Sequence, residues 1–112
     1  MASHKEARQY FEEVVTPAID ELVDEYNQKE GYWAGIHGDP VLKAGKGRPP
    51  FGEVHGIHLI YPNGTEKKVS VHWPAYSDNI VIGVVKVIGS HIFPIQQADK
   101  EFLKREIRKI LD

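Results

Sequence analysis

The stretch from His55 to Trp73 constrains the fold most, because two alternating runs flank Tyr61-Pro62-Asn63-Gly64-Thr65. Pro62 presets the first turn position, Asn63 tolerates the second, and Gly64 supplies the positive φ of a three-residue hairpin loop with a bulge. The register follows from the turn. Tyr61 faces Thr65, Ile57 faces Val69, His55 faces Val71 and Glu53 faces Trp73. One side then carries His55, Ile57, Leu59, Val69, Val71 and Trp73; the other carries Gly56, His58, Lys68, Ser70 and His72. His58 lies opposite Lys68, and His72 opposite Val54, two pair-steps along the strand. On that spacing the two histidines do not share a metal ion.

A helical stripe precedes the hairpin. From Lys5 to Gln28 the apolar positions Ala7, Phe11, Val14, Val15, Ala18, Leu22 and Tyr26 recur every three or four residues. Pro17 interrupts the run, but the stripe keeps its phase across it, which favours one kinked helix over two short ones. Gly31 ends the helix, and Tyr32–His37 reads as a first strand. Residues 38–52 place glycine or proline at almost every other step, the composition of a long and mobile loop. Ile80–Ile88 reads as a fourth strand with both faces apolar: Ile80, Ile82, Val84 and Ile88 against Val81, Val85 and Val87. Asp99–Leu111 is an amphipathic helix with Phe102, Leu103, Ile107, Ile110 and Leu111 on one stripe and Lys104, Arg105, Arg108 and Lys109 mostly outside. The predicted architecture is α+β: a single domain over residues 1–112, built as a two-layer sandwich. A four-stranded antiparallel meander sheet carries the Pro-kinked N-terminal helix and the C-terminal helix on one face.

Composition excludes whole classes of chemistry. With no cysteine among 112 residues, disulfides, thiolate nucleophiles and cysteine-ligated metals are ruled out. No apolar run has membrane length, and the start, Met1-Ala2-Ser3-His4-Lys5-Glu6, lacks the apolar core of a signal peptide; the expectation is a soluble cytoplasmic protein. The net charge of −2 is uneven, with 3 basic and 8 acidic side chains in residues 1–30 against 11 and 8 in the remainder. A remainder so weakly basic falls short of a dedicated nucleic-acid binder. No cofactor-binding or metal-ligating motif is present among the six histidines.

Four groups of residues remain as candidates. The second face of the sheet, with Val81, Val85 and Val87 beside Val54 and Ile60, would be left wet by helices that cover only the first. The leading expectation is therefore a non-enzymatic interaction module that forms a homodimer or docks a protein partner there. Lys43, Lys46 and Arg48 in the Gly/Pro loop, with Trp33 or Tyr32 for stacking, define an alternative as a nucleic-acid-associated accessory domain. The P-loop pattern itself is not met, since neither Ser nor Thr follows Lys46. Glu53 and His55, sharing a strand face, define a second alternative, a small-molecule or catalytic site between sheet and helices near Trp33 and Trp73, with His55 as base and Glu53 orienting it. Finally, Asp20, Glu21, Asp24 and Glu25 form an acidic patch on the first helix, a surface suited to a basic partner at the cost of like charges four residues apart.

Overall fold

The computed structural model describes residues 3–37, 54–74, 77–84 and 91–112. The chain runs through α1 (His4–Tyr10), a π-helical turn (Phe11–Val15) and α2 (Thr16–Asn27). Five strands follow: β1 (Trp33–His37), β2 (Val54–Ile60), β3 (Glu66–His72), β4 (Asn79–Val84) and β5 (His91–Pro94). A 3₁₀ turn (Ile95–Gln97) and α3 (Lys100–Leu111) complete it. The strands pair antiparallel in sequence order, β1-β2-β3-β4-β5, so the sheet is a meander with helices on one face. It has five strands where the sequence predicts four. β5 escapes the sequence reading because it is four residues long and ends at Pro94, whereas pattern recognition needs a longer alternation.

The N-terminal helix crosses Pro17 without a break. Thr16 N–H bonds the Phe11 carbonyl, five residues back rather than four. Proline lacks a donor, and its ring collides with the carbonyl four residues earlier in regular α geometry; one wider turn ahead of Pro17 accommodates both defects. Ser3 and Asp99 cap α1 and α3, accepting from Glu6 N–H at 3.1 Å and Phe102 N–H at 2.8 Å.

The hairpin has the predicted register: Ile57 pairs with Val69, His55 with Val71 and His58 with Lys68. Gly64 has φ +88° and donates to the Tyr61 carbonyl, Tyr61 N–H reaches the Thr65 carbonyl at 2.8 Å, and Asn63 Oδ1 accepts from both the amide and the hydroxyl of Thr65. The face toward the helices holds the core: Ala34, Ile57, Leu59, Val69, Val71, Trp73, Ile80 and Ile82 meet Phe11, Val15, Ile19, Leu22, Leu103 and Ile107. Trp73, fully buried, donates from Nε1 to the Ser77 carbonyl at 2.6 Å.

Side chains finish what the ladder leaves open. Asn27 brackets Ala34 in the edge strand β1, donating to its carbonyl at 2.9 Å and accepting from its amide at 2.8 Å. At the end of α3, Lys67 Nζ donates to the Ile110 carbonyl at 2.8 Å and the Tyr61 hydroxyl to the Leu111 carbonyl at 2.5 Å. These are carbonyls that a helix terminus leaves without intrahelical partners.

The acidic patch on the first helix is reassigned. Glu21 binds Lys100 and Lys104 at 2.7 and 3.0 Å, and Glu25 binds Lys104 and Arg108 at 3.0 and 2.5 Å, so two of its four carboxylates tie α2 to α3. Lys104, expected outside, is only 6% exposed. Asp20 and Asp24 remain on the surface.

Candidate interaction face of the sheet

The strand pleat assigns every described residue to one of two faces. The face away from the helices carries Trp33, Gly35 and His37 from β1, and Gly56, His58 and Ile60 from β2. β3 adds Glu66, Lys68, Ser70 and His72, β4 adds Asn79, Val81 and Gly83, and β5 adds Ile92 and Pro94. Low residues cross its middle, where Gly56 pairs with Ser70 and Ser70 with Gly83.

Its apolar surface falls at two opposite corners. Trp33 is 51% exposed next to Ile60, and Ile92 is 64% exposed beside the half-buried Val81. Between them lie His58, Lys68, Ser70 and His72. Trp33 lies back over Gly35, whose added Cβ would sit 2.6 Å from the indole Cη2. The His58 ring meets it edge-on, 5.4 Å between centroids and 83° between planes. His58 Nε2 also stands 3.3 Å from Glu66 Oε2.

The electrostatics of this face are set by its histidines. Burial lowers the His37 pKa, and the neighbouring charges of Lys68 and His58 lower it further; burial alone lowers His72. Both side chains are held toward the neutral form.

The other predicted residues distribute as follows. Val81 and Ile60 lie on this face at different corners, and Val54 holds the register position opposite His72. Val85, Val87, Glu53, Lys43, Lys46 and Arg48 lie outside the described residues. His55 is buried on the helix-facing side with Trp73, and Trp33 on the opposite side, so those three are not brought together. Ile92 was missed by sequence reasoning together with its strand. The alternation His91, Phe93 against Ile92, Pro94 is its only trace in the sequence.

A cavity of about 280 Å³ opens between α3 and the β4–β5 pair, lined by Ile82, His91, Phe93, Glu106, Lys109 and Ile110. Its polar rim is internally paired, with Lys109 Nζ 2.8 Å from Glu106 Oε2. Among the described residues, no three histidine or carboxylate side chains converge on a point that would hold a metal ion, and no helix is long and apolar enough to cross a membrane. Comparison with family models, curated proteins and solved structures gave no match.

Proposed function

We propose that this chain is a non-enzymatic interaction module that docks a protein, either a second copy or a foreign chain, through the sheet face opposite the helices. One observation carries the reading: Trp33 and Ile92 stand more than half exposed at two corners of a face that neither helix covers. Large side chains of this kind anchor interfaces, and full burial of each is worth about 1.5–3 kcal/mol.

The test is a photo-reactive residue placed at position 92, with position 20 on the helical layer as control. A discrete protein adduct from position 92 alone supports docking, and its mass separates self-association from a foreign partner. Adducts from neither position, or equal adducts from both, would overturn it.

A further inference from the structure

Resting on that docking reading, we infer that the face receives a carboxylate-rich extended segment of another protein, held more tightly as the pH falls. The argument starts from the inventory of charge. Among the described residues the titratable and charged groups on this face are His37 from β1, His58 from β2, and Glu66, Lys68 and His72 from β3; those of β4 and β5 contribute none. Glu66 is the one carboxylate among them, its Oε2 3.3 Å from His58 Nε2. Lys68 is the one permanent cation. It pairs directly across from His58, and His37 is a diagonal neighbour of His58, so the three lie within about two strand spacings, roughly 10 Å.

With burial holding His37 and His72 toward the neutral form, Lys68 and Glu66 set the charge of the described face near pH 7.5, and the face grows more basic as the pH falls and those two histidines take up protons. A symmetric contact between two copies would set these groups against themselves and weaken as the pH falls. An acidic segment has the opposite sign. Its carboxylates stay ionised at pH 5.5, since free glutamate titrates near pH 4.3. They also place negative charge beside His37 and His72, so binding draws protons onto side chains that burial otherwise holds neutral. Trp33, exposed beside this cluster and propped by Gly35 and His58, offers the apolar anchor. Lys68, the one permanent cation among the described residues of this face, is by itself a poor match for a nucleic-acid backbone, whose affinity comes from several phosphate contacts at once.

The probes are a synthetic peptide of alternating glutamate and valine, its glutamine counterpart, and oligothymidylate, each titrated calorimetrically against the intact chain. The glutamate peptide is expected to bind about tenfold more tightly at pH 5.5 than at pH 7.5 and to weaken severalfold on going from low to high salt. Lys68→Glu should weaken it about tenfold, and Lys68→Gln about threefold, the second variant guarding against a folding defect in the first. His72→Gln should flatten the pH dependence. Equal affinity for the two peptides, affinity independent of pH, binding of neither peptide, or tighter binding of oligothymidylate would each overturn the inference. Failure here beside a discrete adduct from position 92 would leave docking standing and remove only the charge of the partner; absence of the adduct would remove docking itself.

Discussion

Two glycines of the hairpin show how differently one missing Cβ is used. Gly64 needs its positive φ, yet an added Cβ there meets nothing within 4 Å. Gly56 has no unusual φ, but its added Cβ would collide with the Val69 carbonyl oxygen and lie 3.0 Å from Ser70 Cα, both backbone atoms of the paired strand. Backbone in a ladder yields less readily than solvent. Gly64→Ala should therefore cost about 1 kcal/mol, the price of left-handed backbone, and Gly56→Ala about 3 kcal/mol through overpacking. Urea denaturation of the two variants checks the order. The turn was legible because Pro62, Asn63 and Gly64 encode it locally. The demand at Gly56 was not, since it arises from a strand that sequence alone places beside it without fixing how closely the two approach.

Between elements, the determining feature is the ion-pair ladder from Lys100 through Glu21, Lys104 and Glu25 to Arg108. Hydrogen bonds from Lys100, then Lys104, hold the Glu21 carboxyl below its ordinary range. Burial pushes Glu25 up, but the bonds from Arg108 and Lys104 outweigh it and the net shift is downward. A carboxyl whose folded pKa is depressed adds stability above its unfolded value, near 4.3, and loses it as the pH falls through the folded value. Stability in urea is thus expected to fall below about pH 4, and Glu25→Gln should shrink that fall. Burial disfavours the Lys104 charge, but Glu21 and Glu25 more than offset it. Lys104→Ala should cost about 1–2 kcal/mol, and Lys104→Met less, because methionine keeps the packed stem. Denaturation of both at pH 7 decides. The helices themselves were plain from their apolar stripes, Pro17 included. Their mutual ladder was not, because residues 83 positions apart meet only once the sheet has folded beneath them.

At the scale of the molecule, the sheet is built from neighbouring strands while α3 closes the core from far along the chain. Local pairings form with little loop entropy, and distant ones come late. Ile107→Ala, in α3, should destabilise by about 3 kcal/mol and act mostly by speeding unfolding, whereas Val69→Ala, in the hairpin, should also slow folding. Stopped-flow kinetics of the two variants would show it; a slowed folding limb for Ile107→Ala would place α3 in the nucleus instead. The meander of the hairpin strands was readable from the sequence of turns, but that α3 packs back against α2 and β3 follows only from the contacts. The edges of this sheet have a further consequence. At β1 the Asn27 amide already occupies the hydrogen-bonding groups of Ala34 as another strand would, and β5 ends in Pro94, which has no amide to offer. Lateral growth, strand upon strand, would give an open filament with no natural end. Asn27 at one edge and Pro94 at the other set a stop against that route on both sides of the described sheet.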